Sequence, residues 1–599
     1  MVAWSQLIEH AIALALVWAW VLLAGFALLP ILRLRVGLVG VPLVGVVYWT
    51  LALYLLPFAG GLDIAAALIG VLAGIVCARL WRSGAWMPVW QRFSWSTLIL
   101  VLGGLPYVTT LLFHYVPFGM DASMHTTAAV LIGRSGGLPE SYAPFAPDLI
   151  FPPLNLGLPT VAGVAIRWGG EPAAVMLACH HLTFTLLILA TYLLLRSWIA
   201  RTPAALLAIV SVWCARASQA SLEWGGFPTV LSVAIGIVAA RLLWQQARCS
   251  NWRVSLATGA SIAAIPLIHG IGGGTWIYCV GPWIAVAAVL CARDRKTTLR
   301  GLAISGGVAG VLLLAYRSAG SIEVRAVDYQ ATHEWQQQSL SLADSSPLTA
   351  LDYIRKNAGS VIVLAGWLAS GVLALRRQWL AALLLTAAWL AVVVVIINSR
   401  SWFLPASFLL YPERALYWAA PLSAVALALA WRALPMISPQ RKQGHAQPLL
   451  ALRASVIATS LGLLVLAGLQ QNLYYQRIVR SDFVNADGWE ALNWAKQHLQ
   501  PEHDFVRTDY NTTGSFLPPI AQIGCTGAHH HHFIEKQVQE MWQRHKPTHV
   551  LVDHAMAPAA DVPAGTVVFH NPTITILELH TRTFSRGSLR SAARQENPE

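Results

Sequence analysis

Asp121 and His125 stand four residues apart in GMDASMHTT (119–127), just after STLILVLGGLPYVTTLLF, an apolar run long enough to cross a bilayer. A helix presents residues i and i+4 on one face, so a carboxylate and an imidazole would stand side by side there. Such a pair can take a proton from a hydroxyl or hold a divalent ion. The simpler reading is an interfacial helix cap followed by a polar histidine. Further ionisable residues fall at the same ends of the apolar runs: Glu140 and Asp148 in the loop 114–151, Glu223 beside Trp224 in LEWGGFPT, and His269 in IPLIHGIGGGTW. The loop 317–358 adds Asp328 and the triplet His333, Glu334 and Trp335, and SRSWFLPASFLLYPERALYW adds Arg400, Glu413 and Arg414. Charged groups at span ends that face a cavity are functional candidates by default. Each has a plainer alternative: Glu223 and Trp224 as a headgroup anchor, His269 as the partner of a backbone carbonyl, and Glu413 with Arg414 as a local ion pair.

The elements that must position these residues are membrane helices. Of 599 residues, 56% are hydrophobic, 11% are charged and 26 are tryptophan, too little polar surface to cover a soluble protein of this size. Apolar windows of about 20 residues predict about fourteen spans: 8–30, 36–57, 62–80, 95–113, 173–195, 202–220, 226–246, 253–270, 275–292, 300–316, 359–375, 379–397, 409–431 and 450–470. The net charge of +13 is spread through short loops, which suits the setting of orientation and not nucleic-acid binding. Arg33, Arg35, Arg79, Arg82, Arg92, Arg196, Arg201, Arg241, Arg248, Arg253, Arg300, Arg376, Arg377 and Arg432 all fall on one side of that alternation, provided that LIFPPLNLGLPTVAGVAIRW (149–168) is an interfacial or re-entrant segment broken by its prolines. Both termini, Asp121 and His125 are then expected on the extracytoplasmic side of a multi-pass protein.

We expect N-terminal transmembrane helices over 1–94, a transmembrane core over 95–471, a small extracytoplasmic α/β domain over 472–580 and a disordered tail over 581–599. ADGWEALNWAKQHLQ and FIEKQVQEMWQRHK read as helices, and THVLVD, GTVVFH and ITILEL as strands. The first span lacks a basic start and a cleavage site, so it is expected to be retained. The seven scattered cysteines form no disulfide framework. The run His529, His530, His531, His532 cannot converge on one metal from a regular helix or strand, although two or three of the rings could do so from an irregular loop. The preferred reading is a loop of the outer domain that hangs over the membrane cavity. Asn511 heads an N-glycosylation pattern that has no meaning in a bacterial protein.

An early Asp in FGMDASMHTTAAVLI, then GGLPESYAPF and the proline-broken FPPLNLGLP, resemble the first extracytoplasmic loop of GT-C membrane glycosyltransferases. The late YPERALYWAAPLSAVALALAW and the segment DFVRTDYNTTGSFLPPIAQIG after the last span are similar to that superfamily as well, so the resemblance covers about residues 95–580 in layout, with three spans preceding it. The loop has no DxD, which leaves metal dependence open. The resemblance implies an inverting transfer of a sugar from a polyprenyl-phosphate donor to an envelope glycan, lipid or protein acceptor at the outer face of the membrane; composition and the absence of eukaryotic sorting signals lead us to expect a bacterial plasma membrane. Under it Asp121 is the catalytic base. Arg414 and Arg400, with His125 and His269, would bind the donor phosphate, and Glu223, Trp224, His333 and Glu334 would contact substrate. A divalent cation (Mg, Mn or Ca) held by Asp121 and His125 is the possible cofactor. Two rival readings remain: a transporter or flippase of lipid-linked or polar solutes, and a non-catalytic scaffold of the same fold. The first expects charges at mid-span and paired broken helices.

Overall fold

A computed structural model of the chain describes residues 4–32, 34, 37–83, 95–119, 121–151, 155–249, 251–319, 346–433, 462, 465–473, 484–509, 512–527, 546–555 and 564–579. The sequence-derived span at 450–470, the helix at 533–546, the residues His333, Glu334, Asn511 and the run 529–532 fall wholly or largely outside that set.

The chain divides into two compact units, one of residues 1–140 and 151–482, the other of residues 141–150 and 483–599. Among the described residues of the first, ten helices are long and apolar enough to cross a membrane, and eleven when the bent pair Arg201–Trp213 and Arg216–Leu222 counts as one. Two shorter apolar helices, Trp252–Ile268 and Ser360–Leu375, match two of the remaining sequence windows. They fall short because Pro266 and the break at His269 end one, and Gly359 (φ 116°) with Arg376 bound the other. The segment read as interfacial or re-entrant holds the eleven-residue helix Gly157–Arg167, about 16 Å long, against about 30 Å of hydrocarbon.

Pro172–Leu195 and Phe227–Gln246 are the innermost spans, buried over 94% and 89% of their apolar windows. They pack on each other, and apolar residues surround both, so neither shows a polar face. Trp4–Leu32 and Gly61–Arg82 instead leave large apolar side chains outward, among them Ile8, Ile12, Leu68 and Val71. In water that surface would be a liability; in lipid it is the normal outer face of a bundle.

The second unit contains a five-stranded sheet in the order β4-β3-β5-β7-β6, formed by β3 (Phe505–Arg507), β4 (Gly524–Cys525), β5 (His549–Asp553), β6 (Gly565–His570) and β7 (Ile574–Leu579). β3 runs parallel to β4 and β5, while β7 is antiparallel to β5 and β6. All five residues of β5 are buried, as expected of a central strand covered on both faces. The helix Ala486–His498 is capped by Asn485, whose side chain accepts from the Gly488 N–H at 2.8 Å. The hairpin β1 (Ser141–Tyr142) and β2 (Ala146–Ile150) belongs to this unit too, although it comes from the loop after the fourth span.

Candidate functional site

The helix Arg216–Trp224 stops because Gly225 turns left-handed (φ 83°, ψ 20°), a conformation glycine adopts without strain. The next helix, Phe227–Gln246, starts two residues later with Pro228 in its first turn, where a missing N–H costs nothing. Ending the helix there leaves the Trp224 carbonyl outside the intrahelical ladder. It accepts a hydrogen bond from the Asp121 backbone N–H at 2.9 Å.

Asp121 is the N-cap of Ala122–Ser135, yet its side chain makes no capping hydrogen bond. The plain capping interpretation therefore fits the backbone and not the carboxylate. The His125 N–H donates to the Asp121 carbonyl at 3.0 Å, which closes the first helical turn and sets the two side chains on one face, as their spacing predicts. His125 is buried. The approach of the two segments depends on Gly119 (φ 96°): a Cβ there would lie 1.9 Å from the Gly225 nitrogen and 2.4 Å from the Trp224 carbonyl carbon.

On the indole of Trp224 lies Arg414, its Cζ 3.6 Å from the ring centroid, a cation–π contact. One residue thus joins the two sequence candidates: the Trp224 carbonyl holds the Asp121 backbone and its ring carries the Arg414 guanidinium. Arg414 stands in the single helical turn Pro412–Ala415. Among the described residues, its Nε and one Glu413 carboxylate oxygen are buried without a hydrogen-bond partner. A buried donor left unpaired is costly, and among the described residues nothing supplies an acceptor for this Nε. The Tyr417 hydroxyl is in hydrogen-bonding contact with Ser221 and Arg414. Burial, then the Glu413 carboxylate, push the Tyr353 phenol up, which keeps it a protonated donor near neutral pH.

His180 buttresses the junction. It is fully buried and packs edge-on against Phe118 (5.2 Å) and, tilted, against Phe227 (5.0 Å), so the residues just before Asp121 and just after Trp224 rest on the same imidazole. His114 stacks edge-on against Phe118 at 4.6 Å.

His269 is used locally. It is the N-cap of Gly270–Cys279, with Nδ1 accepting from the Gly272 N–H at 3.1 Å, and Thr229 Oγ1 stands 3.3 Å from its Nε2. Asn155 Oδ1 accepts from the Gly270 N–H of the same helix end. Glu223 lies on the helix Arg216–Trp224 and Arg400 on Trp379–Ser401, but their side chains are outside the described set, as are His333, Glu334 and His529 to His532. Among the described residues no three His, Cys, Asp or Glu side chains converge as metal ligands. Asp121 and His125 are two donors of such a set, and two donors alone do not make a cation site. Sequence reasoning missed Gly119, His180, Tyr353 and Tyr417. Only Gly119 had a visible signal, as the first residue of the Asp121 stretch; Tyr353 lies in the loop 317–358, and His180 and Tyr417 sit in apolar runs that read as plain span.

No protein-family model matches the chain, and no curated protein does. Solved structures similar to it include the apo oligosaccharyltransferase of Archaeoglobus fulgidus, at 15% identity and a TM-score of 0.46, with 78% of this chain and 70% of that chain covered. The same enzyme tethered to an acceptor peptide containing an NVT sequon gives 12% identity and a TM-score of 0.44 over 78% and 70% of the two chains. Its complex with an inhibitory peptide and a dolichol-phosphate gives 14% and 0.38 over 77% and 70%.

Proposed function

We propose that the protein is a membrane glycosyltransferase of GT-C type that moves a sugar from a polyprenyl-phosphate donor to an acceptor hydroxyl or amide at the extracytoplasmic face of a bacterial plasma membrane. The observation that carries this reading is the Trp224 junction: its carbonyl holds the backbone of Asp121, whose carboxylate makes no capping bond, and its ring carries Arg414, whose Nε has no partner among the described residues, although the two are far apart in sequence.

The chemistry follows from those two groups. The Asp121 carboxylate takes the acceptor proton as the acceptor atom attacks the anomeric carbon. The bond from that carbon to the phosphate oxygen breaks, and the lipid phosphate leaves with the electron pair. Phosphate is already a weak base, so it needs positive charge more than a proton. Arg414 supplies that charge through a planar fork whose Cζ lies 3.6 Å over the indole. The Trp224 ring and the Tyr417 hydroxyl both contact the guanidinium. Asp121 and His125 would be the ligands of any divalent ion.

The test is donor binding and sugar transfer with a short-chain polyprenyl-phosphate sugar, measured on the purified protein and on Asp121→Asn and Arg414→Ala. Asp121→Asn should bind the donor and fail to transfer; Arg414→Ala should bind it more weakly. A wild-type protein that does not bind this donor class would overturn the reading, and one that binds it without transferring the sugar would favour a flippase of lipid-linked solutes.

A further inference from the structure

The helix Phe227–Gln246 begins three residues after Trp224, and its other end lies about 30 Å away. Four arginines gather near that second end. Arg241 donates through Nη1 to Gln245 Oε1 (3.4 Å), and Arg248 lies near enough to act on Arg241 electrostatically. Arg248 reaches the Ser197 carbonyl with Nη2 (3.5 Å) and lies 5.9 Å from the Trp244 ring centroid. Arg196 Nη1 donates to the Ile199 carbonyl at 2.7 Å, in the same turn. Trp198 and Trp244 pack with ring centroids 5.5 Å apart. Arg253, in the first turn of Trp252–Ile268, lies over Trp252 at 5.2 Å.

Among the described residues no carboxylate pairs with these arginines. Between Glu171 and Asp294 the only acidic residue is Glu223, at the opposite end of the span. Asp294 itself accepts from the Thr297 hydroxyl and backbone N–H. Among the described residues none of these arginines has an ion pair. Three polar atoms around them are buried with no hydrogen-bond partner: Ser197 Oγ, Trp244 Nε1 and Arg253 Nε. Each can donate, and a native protein rarely leaves such groups unpaired unless something else supplies the acceptor. Orientation by positive loop charges requires only that arginines be present. It does not require unpaired donors to be buried among them.

We infer that this cluster is a binding site for the phosphate headgroup of an anionic phospholipid. Its place at the ends of three spans, with Trp252 exposed beside it, suits a lipid whose acyl chains run along the bundle while the phosphate accepts from the arginines. This inference concerns the end of the bundle away from Trp224 and stands independently of the proposed transfer reaction.

The experiment is lipid titration of the delipidated full-length protein, with bound phosphatidylglycerol and phosphatidylcholine counted by native mass spectrometry. Wild type should prefer phosphatidylglycerol. The double variant Arg241→Gln, Arg248→Gln should lose about fivefold in phosphatidylglycerol affinity per arginine, with phosphatidylcholine binding unchanged. Arg241→Lys, Arg248→Lys should keep most of the preference, which separates charge from folding. Equal wild-type affinity for both lipids, or a preference that survives the glutamine variant, would overturn the site. Inorganic phosphate binding at the arginines without any lipid preference would assign them to a free anion and overturn the lipid inference.

Discussion

Replacing Gly119 by alanine tests whether the junction is built as described. The new Cβ would stand 1.9 Å from the Gly225 nitrogen, 2.4 Å from the Trp224 carbonyl carbon and 2.6 Å from the Gly225 Cα. All three are backbone atoms, so no side-chain rotation relieves the clash. Restoring ordinary contact near 3.4 Å moves one segment by about 1.5 Å, more than the 2.9 Å Asp121–Trp224 hydrogen bond can absorb. The positive φ of 96° adds about 1–3 kcal/mol of strain for a residue with a side chain. Thermal stability should therefore fall by about that amount, and sugar transfer by about a hundredfold or more, since a displacement of about 1 Å at a reacting group has that effect. Gly74→Ala is the control: nothing lies within 4 Å of a Cβ there, so it should be neutral or slightly stabilising. Melting curves and initial transfer rates on the purified proteins decide the matter. A Gly119→Ala protein with wild-type melting and rate would show that the two segments do not meet.

Other outcomes follow from the same geometry. Asp121→Asn should lower transfer by about 10²- to 10⁴-fold while leaving the melting temperature nearly unchanged, because the side chain makes no capping bond; a comparable loss of stability would return Asp121 to a structural role. Arg414→Ala should cost about 2–5 kcal/mol of donor binding as a lost buried partner, whereas Trp224→Phe, which keeps an aromatic face under the guanidinium, should cost about 1 kcal/mol or less. Equal donor affinity across wild type and both variants would remove the phosphate from this site. His269→Ala should cost about 1 kcal/mol of stability as a lost N-cap, and His269→Asn, which can cap, should recover it; donor binding lost in both variants would show a ligand role instead. A cysteine placed at exposed Glu140 should react with a membrane-impermeant reagent from outside, and one at exposed Arg295 should not; the reverse would invert the orientation that the arginine loops imply.

What could be read ahead of the structure depended on the range over which each signal acts. Apolar runs of span length report directly on the solvent around a helix, so the transmembrane spans and the strands at 549–553, 565–570 and 574–579 follow from local pattern. β3 and β4, three and two residues long, are too short to show a period, and their parallel pairing joins residues that no local window contains. The site behaves in the same way. The stop at Trp224 was written locally in Gly225, Gly226 and Pro228, as was the turn at Asp121. That these two stops face each other, and that Arg414 lies on the indole between them, comes from the packing of Pro172–Leu195 against Phe227–Gln246 with His180 between Phe118 and Phe227. A histidine in an apolar run gives no sign that two distant loops will close on it. A phenylalanine at His180 would fill similar space, so the aromatic packing alone does not require an imidazole. Its Nδ1 lies 3.3 Å from Thr110 Oγ1, while its Nε2 is buried without a partner. His180→Phe therefore separates the two demands: it should keep the junction and stability within about 1 kcal/mol, since it trades one weak polar contact for the removal of an unsatisfied nitrogen. A collapse in melting temperature with that variant would mean that the imidazole, and not the ring packing, holds Asp121 and Trp224 together.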